Sequence, residues 1–186
     1  QASPRCMTNI FWSCARMSRI PSVTLHSTVQ KHFLTRRADY DENLCRNLVW
    51  AAAILELELV PQALQHIEAE VRPSLRQYNA ATLETVLWSF VRSRHAPSLA
   101  FMGEFDACVG TLEDLNAKAA SHILRAYESL DYVPPADVLD HLQAAKAAAA
   151  NPIPPVASDP PLHEMMTDEV ITEIGRTSLG MGVSQT

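Results

Sequence analysis

Four stretches of the chain carry the same order of polar and apolar positions: SPRCMTNIFWSCARM from Ser3, DENLCRNLVWAAAIL from Asp41, NAATLETVLWSFVRS from Asn79 and NAKAASHILRAYESL from Asn116. They align without internal gaps and begin 38, 38 and 37 residues apart. Self-similarity at such a period is the signature of a repeat architecture. Each stretch opens with Ser, Asp or Asn, whose side-chain oxygen accepts a hydrogen bond from the first turn of a helix. In the first, Pro4 follows at a position where its missing N–H costs nothing. Counting the cap as zero, positions 4, 7, 8 and 11 are mostly apolar: Met7, Ile10, Phe11, Cys14; Cys45, Leu48, Val49, Ala52; Leu83, Val86, Leu87, Phe90; Ala120, Ile123, Leu124, Tyr127. That spacing predicts four amphipathic helices. Position 10 is small throughout (Ser13, Ala51, Ser89, Ala126), as expected where another helix approaches closely.

A proline follows each stretch (Pro21, Pro61, Pro97, and Pro134 with Pro135) and marks the turn into a second helix, whose apolar residues recur as Val23, Val29, Phe33 and as Leu64, Ile67, Val71, Leu75. The unit is therefore a helical hairpin, and the fold class expected is all-α: an α-solenoid of about four hairpins with a 37–38-residue period. Stacked neighbours would supply the core that no hairpin buries alone. The repeats run over about residues 1–38, 39–78, 79–115 and 116–150. Residues 151–186 read as a Pro-rich linker, NPIPPVASDPP, and an acidic tail with one short amphipathic segment, Asp168 to Arg176, capped by Thr167.

Composition agrees with helices: hydrophobic residues make up 47% of 186, aromatics only 6%, and there are 5 glycines. The four cysteines form no C-x-x-C pair and are too few for a disulfide scaffold, which favours a reducing compartment and gives no support to a structural zinc. No apolar run reaches the length of a transmembrane helix, so a soluble or peripheral protein is expected. Net charge is -6, unevenly distributed. Residues 1–38 carry six cations (Arg5, Arg16, Arg19, Lys31, Arg36, Arg37) and no acid, residues 39–150 carry 8 basic against 16 acidic groups, and residues 151–186 carry 1 against 5. A basic, acid-free N-terminal stretch has the composition of an organellar transit peptide. The first repeat with its own Trp12 displaces that reading. A start at Gln1 without an initiator methionine suggests a processed or incomplete N-terminus.

At NIFWSCARM, NLVWAAAIL and TVLWSFVRS, each preceded by a capped polar turn, the chain resembles octotricopeptide and heptatricopeptide-like repeats over about residues 1–150. These are helical-hairpin repeats of organellar RNA-metabolism proteins, akin to those before RAP domains in FAST-kinase-like proteins. The fourth copy departs from the pattern, with Arg125 where the others have Trp12, Trp50 and Trp88, and no RAP domain follows residue 150. The resemblance implies a mitochondrial or plastid location, association with RNA or a ribonucleoprotein, and no catalysis.

Position 9 lies roughly opposite the apolar stripe at about 100 degrees per residue. Positions 2, 6, 9 and 13 share its face: Arg5, Asn9, Trp12, Arg16; Asn43, Asn47, Trp50, Ile54; Ala81, Thr85, Trp88, Arg92; Lys118, His122, Arg125, Ser129. Planar groups flanked by amides and cations are what readers of single-stranded RNA present. The candidate nucleic-acid-binding residues are Arg5, Asn9, Trp12, Arg16, Lys31, Arg36, Arg37, Asn47, Trp50, Trp88, Arg92 and Arg125. The structural alternative packs each tryptophan against the first helix of the adjacent repeat. The acidic balance of repeats two to four argues against an independent RNA binder, since phosphate neutralisation supplies most nucleic-acid affinity.

Catalytic constellations are not found. The G-x-G at Gly180 and Gly182 follows no strand. His122 and His141 read as exposed helix positions, and Glu113-Asp114 and Glu68 with Glu70 as turn or solvated-face acids with no partner that would assign acid–base roles. The expected function is a non-catalytic scaffold of an organellar ribonucleoprotein, a mitochondrial-ribosome-associated subunit, with RNA and protein subunits as partners and no cofactor, metal or small-molecule substrate. The alternative is a peripheral accessory subunit of a respiratory, ATP synthase or photosynthetic complex making protein contacts only. A third is a free transcript-specific RNA-binding factor.

Overall fold

A computed structural model describes residues 2–148, which fall within one compact unit. The linker and amphipathic tail segment expected after residue 150 lie outside the described residues. Those described form an all-α structure of eight helices: α1 (Pro4–Arg16), α2 (Val23–Thr35), α3 (Glu42–Ile54), α4 (Pro61–Val71), α5 (Ala80–Arg92), α6 (Leu99–Val109), α7 (Ala117–Ser129) and α8 (Ala136–Ala148), with no strand among them. The odd-numbered helices begin at 4, 42, 80 and 117 and the even-numbered ones at 23, 61, 99 and 136, so both helices of the hairpin follow the 38, 38, 37 spacing. In order along the chain, α1 packs on α3, α3 on α5 and α5 on α7.

The caps explain these starts. Ser3 accepts from the Cys6 N–H at 3.2 Å, and Asp41, Asn79 and Asn116 accept from Leu44, Thr82 and Ala119, each at 2.9 Å. Of the prolines, Pro61 occupies the first position of α4, whereas Pro21 and Pro97 precede capping serines, Ser22 and Ser98. The odd helices end alike too. Ser18, Glu56, Arg94 and Asp131 all have φ between 50° and 54°, and the residue after each returns a hydrogen bond five residues back, as from Arg19 N–H to the Cys14 carbonyl at 2.9 Å. This is a Schellman turn built four times without the glycine that usually relieves it. A left-handed L-residue costs roughly 1–2 kcal/mol. Arg94→Gly should therefore raise stability by up to about 1 kcal/mol, a gain measurable as a higher urea midpoint at unchanged slope.

The apolar stripes of α3, α5 and α7 are buried at position 7. Leu48, Val86 and Ile123 are 1% exposed at position 7. Ile10, expected to match them, is 39% exposed: α1 and α7 each have one neighbour in the odd row, but α7 packs closely on α8 whereas α1 packs less on α2. The small residues at position 10 hold to the expected close approach, with Ala51 and Ser89 wholly buried. Among the even helices, Val29, Ile67, Phe105 and Leu142 form one buried register and Phe33, Val71 and Val109 another. Val23 does not join the stripe; it stands at the first position of α2, 83% exposed. Leu75 is buried but lies beyond α4, in a 3₁₀ turn over Arg72–Gln77 that includes Pro73.

A further register carries polar groups, half-buried at Gln30 and buried at Glu68 and Asp106. The Gln30 carbonyl oxygen accepts from Val60 N–H at 3.1 Å, and Glu68 accepts from Ser98 N–H at 3.0 Å and pairs with His95 at 2.8 Å. Asp106 accepts from the Tyr127 hydroxyl at 2.6 Å and from Tyr132. These three positions are 38 residues apart. Glu68 is thus no solvated-face acid: at 8% exposure it ties α4 to the start of α6. Asp114 has a partner as well, accepting from Ala80 N–H at 3.2 Å and so capping α5 from the loop before α7. His141 and His122 also depart from the expected exposed positions. His141 bonds the Leu112 carbonyl at 3.2 Å and His122 pairs with Glu84, both half-buried because they bridge successive hairpins.

Candidate nucleic-acid interface

The helical period places position 9 of α1, α3, α5 and α7 on one face of the odd row, and packing keeps those helices in register. The Trp12 and Trp50 rings lie 6.3 Å apart at an interplanar angle of 38°. The Arg16 guanidinium sits 5.5 Å from the Trp12 ring centre, one helical turn on, and Arg92 takes the same relation to Trp88 at 6.0 Å. Between α5 and α7 an open groove of about 290 Å³ is bordered by Trp88, Arg92, His122, Arg125 and Ser129. All three tryptophans are half-buried, and Arg125 is exposed. Trp50 also packs against the main core. Each ring is shared between a neighbouring helix and solvent, which combines features of both readings of the tryptophans.

The remaining candidates divide into two groups. Arg5 is exposed in the first turn of α1, and Asn9 and Asn47 are half-buried one turn before their tryptophans. These join the row. Lys31, Arg36 and Arg37 do not, because they belong to α2 and the turn after it; Lys31 and Arg37 are exposed, while Arg36 is held by Asp39 at 2.8 Å.

Sequence reasoning missed two carboxylates on this face. Glu56 pairs with Arg92, and Glu84 pairs with His122. The available signal was the period itself: side chains 36 to 38 residues apart, on the odd helices or the turns flanking them, meet across adjacent units, as Tyr78 and Glu42 also do. Elsewhere, burial pushes the Cys45 thiol up to about 12 and raises Cys108, which suits packing groups rather than nucleophiles. Among the described residues no three His, Cys, Asp or Glu side chains gather as a metal site would require, and no described helix is long and apolar enough to cross a membrane.

No protein-family model matches the sequence, and a search of curated proteins finds no match. The resemblance to octotricopeptide-like repeats rests on the repeated residues themselves.

Proposed function

We propose that this chain is a non-catalytic α-solenoid scaffold of an organellar ribonucleoprotein, a subunit associated with the mitochondrial ribosome, that lays its odd-helix face against RNA. The observation that carries the proposal is the in-register row Trp12, Trp50, Trp88 and Arg125, with guanidinium groups over two of the rings. Partly exposed planar side chains at one-repeat intervals offer stacking surfaces for successive bases. Arg5, Arg16 and Arg125 supply charge for phosphates, and Asn9 and Asn47 offer amides for base edges. The succession of α1, α3, α5 and α7, with the same 38, 38, 37 spacing of helix starts in both rows, supports the solenoid arrangement. The repeat resemblance supports the organellar setting.

A second reading keeps the solenoid and replaces RNA by protein: an accessory subunit of a membrane-bound bioenergetic complex. It is favoured by Glu56 and Glu84, which place carboxylates on the same face and occupy Arg92 and His122.

Titration of the full chain with a single-stranded RNA oligonucleotide separates the two. The RNA reading expects quenched tryptophan emission, binding weakened about tenfold by Trp12→Ala or Trp88→Ala, and a shallower salt dependence for Arg16→Glu with Arg125→Glu. Circular dichroism should be unchanged in these variants. No quenching, together with nuclease-resistant association of the native chain with its complex, rejects RNA contact and leaves the accessory-subunit reading.

A further inference from the structure

The turns inside the hairpins follow the C-terminal ends of the in-register odd helices and so share one edge of the molecule. Among the described residues eight large apolar side chains are exposed, and five of them, Met17, Ile20, Val23, Leu99 and Val133, lie in these turns or at the first residue of the helix that follows. The turns between hairpins carry none of the eight. The concentration is greatest in the first hairpin, where Met17, Ile20 and Val23 are 61, 76 and 83% exposed within seven residues.

The corresponding turn of the second hairpin is built differently. At the register of Met17 stands Leu55, 6% exposed; Ile20 is replaced by Glu58 and Val23 by Pro61. The first turn also has exposed Arg16 and Arg19 beside its apolar residues, in a stretch of 38 residues without an acid.

We propose that the turn Met17–Val23 seats the protein reversibly on an anionic lipid bilayer, with Met17, Ile20 and Val23 entering the acyl boundary and Arg16 and Arg19 meeting lipid phosphates. Aliphatic tips between cations match the two layers of such a surface, apolar below and negative above. A nucleic-acid backbone would use the arginines and leave three aliphatic side chains in water. Two copies meeting symmetrically at this turn would bring two sets of unneutralised cations together. Side chains this far out of the surface suit insertion into a soft layer. Glu58 and Asp131, exposed on the second and fourth turns of the same edge, keep those turns off an anionic surface, and the third turn, with exposed Arg94, offers one large apolar side chain, Leu99, against three in the first.

The experiment is flotation of the full chain with vesicles of phosphatidylcholine alone or with about one-third phosphatidylserine. The expected result is capture by the anionic vesicles only, reduced at least about tenfold by Met17→Asp with Ile20→Asp and comparably by Arg16→Glu with Arg19→Glu. Both double variants should keep the native helical spectrum and melting temperature, since all four positions are exposed. Absence of capture, or capture that the Asp variant leaves intact, overturns the proposal. So does a concentration-dependent dimer broken by that variant in place of lipid binding, or vesicle binding lost on nuclease treatment.

Discussion

Raised through the alkaline range, the folded protein should show almost no tyrosinate absorbance at a pH where free tyrosine is half ionised, and then release all four phenolates together as it unfolds. The chain has four tyrosines, and every one is shifted the same way. Burial pushes Tyr40 up to about 12, with Cys45 beside it adding to the shift. Burial and the hydrogen bond to Asp106 push Tyr132 up to about 12 as well. Tyr78 and Tyr127 are raised by burial and by their bonds to Glu42 and Asp106. The fold therefore holds the neutral phenol, whereas the unfolded chain ionises near the ordinary value of 10.0. Stability from these groups is complete below that value and is lost as pH rises from 10 toward 12. Cys45, carried from 9.0 to about 12, begins the decline one unit lower. For Tyr40, 1% exposed, a shift of this size is worth about 3 kcal/mol, and the other three phenols act in the same direction. Tyrosinate absorbance and circular dichroism followed in one titration test this. Phenols that ionise at their free value while the helices persist would contradict the burial described.

Replacing Phe105 by Ala should cost about 3–5 kcal/mol and lower the melting temperature by about 10 °C. Phe105 is fully buried in α6, stacked on Phe101 with ring centres 6.1 Å apart and edge-on to Tyr127 at 6.3 Å. It thus packs α6 against the fourth hairpin as well as within its own element. Leu99→Ala, six residues earlier but 81% exposed, is the matched control and should change stability by no more than about 0.5 kcal/mol. Urea unfolding of the pair measures the difference. Equal losses would show that the two faces of α6 are not as differently placed as described.

The parts of the fold legible in the sequence were those that short-range chemistry determines. Ser3, Asp41, Asn79 and Asn116 announce four helix starts because a cap is recognised from the residue and its following pattern. The helix ends were not announced. Their left-handed residues are Ser18, Glu56, Arg94 and Asp131, and a Schellman turn without Gly leaves little local signal. The even helices repeat as regularly as the odd ones, but only Val29 and Ile67 were readable as stripe residues; without a side-chain cap common to α2, α4 and α6, Phe105 and Leu142 join that register once their neighbours are placed. The roles of Glu68 and Asp106 depend on partners 20 to 30 residues away, and a carboxylate looks solvated until they are known. In the candidate interface, the tryptophans and arginines were readable from helical phase. The carboxylates that divide the face electrostatically required the third dimension.

The polar register of Gln30, Glu68 and Asp106 bears on assembly order. The three side chains stand at equivalent places, yet they demand different things of the adjoining segment. Gln30 needs a donor and an acceptor, and finds the Val60 N–H and the Glu58 carbonyl. Glu68 needs donors from Ser98 and His95, and Asp106 needs two hydroxyls. Seated on the wrong neighbour, Glu68 or Asp106 would bury a carboxylate facing a carbonyl or nothing, at a cost of several kcal/mol. Hairpins so alike in apolar outline could otherwise trade places during folding, the characteristic hazard of tandem repeats. At the Glu68 and Asp106 junctions, a neighbour without the matching donors would be costly.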